Sequence, residues 1–108
     1  MVDIKTYQER LKKLKLKFTK VDDGFYRVET LVKPFDKSRK AIYYPIALIN
    51  QLNYGKKYWQ VEYNNNKYLR DKYGYNCFSF KIAKQLIKDT FYNDYNLFTS
   101  IHNKGYEV

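Results

Sequence analysis

The chain is poor in the side chains that most chemistry requires. Cys77 and His102 are the only cysteine and histidine among 108 residues. A lone cysteine excludes an intramolecular disulfide, and the start of the chain has no charged-then-apolar leader, so an intracellular setting is expected: the cytoplasm, or a host cell's cytoplasm if the protein is viral. No histidine or cysteine group has metal-ligand spacing, and the four glycines include no phosphate-cradling loop. Asp36, Glu62 and Asp71 match no metal-binding motif either. His102 falls in a stretch, 102–108, that reads as a fraying tail, and Cys77 has no base beside it in the sequence. The expectation is a protein that is not an enzyme, with no cofactor and no metal site. Apolar runs are short as well. The longest, residues 42–49, is interrupted by Pro45 and falls far below the roughly 18 to 20 residues that cross a bilayer. The first helix lacks the broad apolar face of an interfacial anchor, so no membrane partner is expected.

What the chain has in quantity is tyrosine and positive charge. Aromatic residues make up 19% of it, as 13 Tyr, 7 Phe and 1 Trp. Disordered chains are poor in such residues, so this one is expected to fold despite its polarity. Tyrosine joins an apolar body to a polar tip and suits half-buried faces and interfaces. Basic groups number 21 against 11 acidic ones, a formal net charge of +10. The surplus is uneven. Residues 1–20 hold seven basic groups against Asp3 and Glu9, a net of +5. Residues 21–32 reverse the sign with Asp22, Asp23 and Glu29 against Arg27. Lys33, Lys37, Arg39 and Lys40 then face Asp36, and Lys56, Lys57, Lys67, Arg70 and Lys72 face Glu62 and Asp71. Of the basic groups 17 are lysine and 4 arginine, which favours point-charge contacts to phosphate over forked contacts to base edges. The abundance of Lys, Asn, Tyr and Ile, all with AT-rich codons, suggests an AT-rich genome, which fits many phages, mobile elements, firmicutes and apicomplexans, and a phage or mobile-element origin is the expectation.

Periodicity predicts one domain of the α+β class: antiparallel hairpins packed on a C-terminal helix, with a basic amphipathic helix at the N-terminus. Residues 1–20 form that helix and its lead-in, with Asp3 as cap and Ile4, Tyr7, Leu11 and Leu14 on one face. Residues 21–55 hold a first hairpin and a short helix. Leu16–Val21 and Phe25–Val32 flank an Asp-Asp-Gly turn, residues 34–40 form a charged loop, a third strand covers 40–44, and Pro45 opens a helix that ends near Gly55. Residues 56–101 hold a second hairpin and the main helix. Trp59, Val61 and Tyr63 share one strand face, Gln60 and Glu62 the other, asparagines 64–66 turn, residues 67–73 return, and Ser79 caps a helix with Phe80, Ala83, Leu86 and Ile87 inward. Residues 94–101 add a further helical turn. Phe25–Glu29 is similar to Tyr58–Glu62, so two strand-strand-helix units are conceivable. Chance likeness of aromatic strands is the plainer account.

The stretch that points to a ligand is 56–91, where cations alternate with aromatic rings. Lys56, Lys57, Lys67, Arg70 and Lys72 are the phosphate-contacting candidates, Tyr68 and Gln60 sit beside them, and Lys12, Lys13, Lys15 and Lys17 supply a second basic run. Trp59 is expected to anchor the sheet against the last helix. Trp59 to Tyr63, the asparagine turn, Lys67 to Arg70, residues 72–75 and the helix from Ser79 together resemble AP2-type DNA-binding domains. That resemblance implies a three-stranded sheet laid in the major groove and braced by the helix, with Gln60, Glu62, Lys67, Tyr68 and Arg70 toward DNA. The expected function is therefore nucleic-acid binding, with duplex DNA ahead of RNA. Two other readings share the same features: a small inhibitor or adaptor that binds a host protein with an acidic surface, and a structural component of a ribonucleoprotein or virion.

Overall fold

The computed structural model describes residues 4–53, 57–64, 67–70 and 76–108. Lys56, Lys72 and the expected cap Asp3 lie outside the described residues. The first helix, α1 (Ile4–Lys13), follows from its spacing: Tyr7 and Leu11, four apart, are buried. Its last turn carries Arg10, Lys12 and Lys13, where the partial negative charge of a helix end favours cations. Two strands follow, β1 (Leu16–Asp22) and β2 (Phe25–Val32), paired antiparallel. Val28, Thr30 and Val32 alternate into the core beside half-buried Tyr26, as period-two spacing requires. Thr30 is accommodated there because its hydroxyl donates to the Lys15 carbonyl at 3.0 Å. Gly24 makes the intervening turn at φ +71°, and a Cβ there would sit 2.9 Å from the Cβ of Gln51. Glycine therefore meets both a conformational and a steric need.

The helix expected after Pro45 does not form. Residues 42–53 are instead one strand, β3 (Ile42–Asn53), between β2 and the next strand. Proline is normally excluded from an interior strand because it donates nothing to the ladder. Here Pro45 stands opposite Glu29 at a register shift: Val28 pairs with Ala47, Glu29 with Pro45, and Ile46 is the extra, bulged residue. The ladder on β3's other side begins only at Ala47, so the missing N–H leaves no partner stranded. The bulge also explains the misleading pattern. Buried positions fall at Tyr44, Ile46, Ala47 and Ile49, a broken alternation that contains the three-residue spacings of a helix. With this segment a strand, the two conceivable strand-strand-helix units are not alike.

The sheet continues through β4 (Lys57–Tyr63) to β5 (Lys67–Tyr68), while β6 (Asn76–Cys77) also pairs with β4. All pairings are antiparallel. Ser79 caps α2 (Phe80–Tyr92), accepting from the Ile82 amide at 3.1 Å, and buries Ala83, Ile87 and Phe91. Asp94 caps α3 (Tyr95–Asn103), which buries Leu97, Phe98 and Ile101. The helices join the buried side of the strands in one hydrophobic cluster, which makes the fold α+β. Trp59 is half-buried between Tyr26 and the α2 residue Phe80, at ring-centroid distances of 6.0 and 5.0 Å. Tyr7 and Gln8 fix α1 to the junction of α2 and α3 through hydrogen bonds to Asn93.

The expected fraying of 102–108 is also corrected. Tyr106 is buried, Pro34 and Tyr106 form a β-bridge, the Phe35 amide donates to the Gly105 carbonyl at 2.8 Å, and the Glu107 amide donates to the Lys33 carbonyl at 2.7 Å. His102 accordingly lies in the last turn of α3, its ring edge-on to Phe35. Replacing Tyr106 by Ala is expected to destabilise the protein by about 3 kcal/mol, in the range for a buried aromatic. Chemical denaturation checks this, and a change within about 0.5 kcal/mol would restore the frayed tail.

Asp94 serves two elements at once. One carboxylate oxygen caps α3 at the Leu97 amide, 3.0 Å away, and the other accepts from the buried Tyr63 hydroxyl at 2.8 Å. Asp94→Ala is expected to cost about 2 to 3 kcal/mol, a lost cap plus an orphaned hydroxyl, and Asp94→Asn clearly less. Burial, and then the bond to Asp94, raise the Tyr63 hydroxyl's pKa well above the ordinary tyrosine range. The folded protein thus holds this proton more tightly than the unfolded chain does. Stability from it is complete below about pH 10 and declines as pH rises beyond the unfolded value. The advantage of wild type over Tyr63→Phe should therefore shrink above pH 10 by up to about 1.4 kcal/mol per pH unit. Denaturation midpoints of the two proteins across pH 8 to 11 measure it, and parallel curves would contradict the assignment.

Candidate nucleic-acid interface

Cross-strand register sorts every strand residue onto one of two faces. On the side away from the helices, Thr19, Arg27, Leu48, Glu62 and Tyr68 form one row, and Phe25, Asn50 and Gln60 another. This uncovered face mixes apolar and polar groups. Leu31 and Tyr43 pair across it and are exposed. Its charges are nearly balanced: Arg27 Nε donates to Glu29 at 2.9 Å, and Glu62 lies between Leu48 and Tyr68. The center of the open face is therefore not a basic platform.

The second-hairpin candidates separate accordingly. Lys57 begins β4 opposite Asn53, whereas Lys67 lies opposite Tyr63 at the other end of the strand. Six steps of strand rise put them about 20 Å apart. Lys67 also shares its register position with buried Tyr63 rather than with the open face. Gln60 is half-buried in the middle of that face, while Tyr68 and Arg70 are exposed around buried Leu69. These residues do not form one patch.

Three other chain segments do converge, at the end of the sheet where β1 begins, β2 ends and β3 begins. Lys12 and Lys13 close α1, Lys15 links it to β1, and Lys17 follows, its Nζ 4.7 Å from the Tyr43 ring. Lys33, Lys37, Arg39 and Lys40 belong to the connection from β2 to β3 at this same end. Arg39 reaches the pinned C-terminal segment, donating to the Tyr106 hydroxyl at 3.2 Å, and Lys104 donates to the Tyr44 hydroxyl at 2.8 Å. With Arg10 they make ten cations. None of the ten is in a salt bridge among the described residues, unlike Lys20 with Asp23 and Arg27 with Glu29. The carboxylates on the same surface are few. Glu29 is paired with Arg27, and Asp36 accepts from the hydroxyl and then the amide of Ser38, which lowers its pKa. Glu107 shares a cleft with Arg10, Lys13 and Lys33. At the opposite end, Lys20 is taken up by Asp23 at 3.0 Å; their hydrogen bond, then their charges, raise the lysine's pKa and lower the aspartate's.

No family model, curated protein or solved structure matches the chain. The site reading accordingly rests on geometry alone. The sequence pointed to Lys12, Lys13, Lys15 and Lys17 but passed over Arg10, Lys33, Arg39 and Lys104 as contact residues. A visible signal did exist for Lys33 to Lys40, a run of four cations around one aspartate. Nothing local links that run to residue 104. No three of His, Cys, Asp and Glu gather as a metal site among the described residues, and no described helix is long and apolar enough to cross a membrane.

Proposed function

We propose that the protein binds nucleic acid, duplex DNA in the first instance, through phosphate contacts made by the basic end of its sheet. The observation that supports this is the convergence of cations from residues 10–17, 33–40 and 104, ten of them against few carboxylates and none held in a salt bridge among the described residues. β3 alone extends about 36 Å, more than four times the Debye length of about 8 Å at physiological salt. The two ends therefore act as separate electrostatic bodies, and the surplus at one is not averaged away by Asp22 and Asp23 at the other. Because lysines predominate, the contacts are of the kind that position a backbone without reading sequence. The likeness to AP2-type domains would place DNA on the open face instead, where Gln60, Glu62 and Tyr68 lie. The near-balanced charge there favours the basic end.

Fluorescence anisotropy with a duplex of about 20 base pairs tests the proposal. If roughly six phosphates are engaged, affinity falls about 10³-fold between 50 and 200 mM salt. Reversing Lys15 and Lys40 to Glu should lower affinity tenfold or more and reduce the salt slope by about two, whereas reversing Lys57 and Lys81 should change affinity less than threefold. Equal losses from both pairs would mean diffuse charge rather than a site, and no binding at 50 mM salt would remove the function.

A second reading is favoured by the open face itself, whose exposed Leu31 and Tyr43 and near-balanced charge suit a protein partner. It predicts a stoichiometric host protein captured after nuclease treatment and lost on Leu31→Asp.

A further inference from the structure

Where α1, the residues after β2 and the end of α3 meet, a cleft of about 550 Å³ opens, within the size range of small-ligand sites. Arg10 and Lys13 line one wall, three apart and so on one helix face. Lys33, Phe35, His102 and Glu107 also line it. The backbone here is fixed, because the amides of Phe35 and Glu107 are tied to Gly105 and Lys33 on the facing segment. The Phe35 ring nevertheless stays 51% exposed, with His102 edge-on at 5.4 Å between centroids and 87° between planes. A phenylalanine on a fixed backbone beside cations leaves apolar area in water that a ligand can cover.

We propose that this cleft holds one nucleotide of a single-stranded nucleic acid, its phosphate met by Arg10, Lys13 and Lys33 and its base laid against Phe35. The proposal rests on the nucleic-acid reading above and adds to it a single-strand site that a duplex does not fill. Phosphate needs the cations but has no use for Phe35. An aromatic ring held in place is what a base requires, since stacking gains from a surface ordered in advance. Glu107 fits the same ligand. A bare phosphate is repelled by its carboxylate, whereas the exocyclic amino group of cytosine or adenine can donate to it. The cleft also adjoins the converged lysines, so a strand could run from it onto the basic end without crossing a carboxylate-rich surface.

The test uses the full chain, a labelled 5′-phosphorylated hexamer of deoxycytidine, and the duplex probe measured in parallel at 50 mM salt. Phe35→Ala is expected to weaken hexamer binding about tenfold, the lower range of one lost base stack, and to change duplex binding less than twofold. Phe35→Trp should bind the hexamer at least as tightly as wild type, which separates loss of stacking from loss of fold. Lys33→Glu should weaken both probes. Hexamer binding insensitive to Phe35→Ala, with duplex binding intact, overturns the nucleotide site and leaves the broader function standing. Displacement of the hexamer by tripolyphosphate as readily as by unlabelled hexamer overturns it too, as a plain anion site, and so does equal binding of a phosphopeptide of the same charge. Absence of binding to either probe sinks both readings together.

Discussion

The pairing of β3 with β2 on one side and β4 on the other is the constraint from which the remaining geometry follows. Either hairpin by itself would be marginal in water, because two strands bury too little on one face. β3 belongs to both. Its buried Ile46, Ala47 and Ile49 sit in the shared core, where each large aliphatic side chain contributes about 1.5 to 3 kcal/mol on burial. The bulge at Ile46 then does two things. It lets a proline occupy an interior strand, and it frees the Ile46 carbonyl to accept from the Asn64 amide at 2.9 Å, closing the turn after β4. Asn64 adopts φ 47° there, a left-handed conformation that asparagine tolerates better than most residues.

That central strand is also where reading from sequence stopped working, for a definite reason. Strands β2 and β4 were legible because two-residue alternation survives along them, β1 because the Asp-Asp-Gly turn marks its end, and α2 because Ser79 and the Ala83–Ile87 spacing agree. One extra residue in β3 shifts the alternation, and Pro45 then looks like a helix start. The C-terminal segment failed differently. Tyr106 and Glu107 are held by Lys33, Pro34 and Arg39, far earlier in the chain, and no local pattern encodes a contact of that span. Both failures concern long-range pairing; the return strand expected over 67–73 is a smaller miss, since β5 covers only Lys67–Tyr68 and residues 71–73 lie outside the described residues.

The basic surface repeats the lesson in terms of charge. Counting along the chain made residues 56–72 look like a patch, because Lys57 and Lys67 are close in sequence. A strand lies between them, so closeness in sequence becomes about 20 Å in space. Residues 12–17 and 33–40 look independent in sequence, yet antiparallel pairing returns the end of β2 to the start of β1, bringing Lys33 near Lys15. Turns and strand ends are where an antiparallel sheet collects distant segments, and here Lys15, Lys33, Lys37, Arg39 and Lys40 occupy such positions.

Such crowding has an energetic consequence that bears on function. Like charges gathered at one end repel one another, which disfavours the compact state, and the carboxylates beside them, Asp36 near Arg39 and Glu107 in the cleft, are outnumbered. A surface needed only for solubility would be better served by lysines spread evenly or interleaved with acids, as Lys20 is with Asp23 at the far end. The same repulsion would be relieved by a bound polyanion, so part of the electrostatic strain in the free protein would return as affinity. The strained surface is also tied down: α1 is bonded to Asn93, Pro34 and Tyr106 form a bridge, and Arg39 spans to Tyr106. A polyanion bound there would meet cations whose backbones are already in place, and the ordering cost would fall mainly on their side chains.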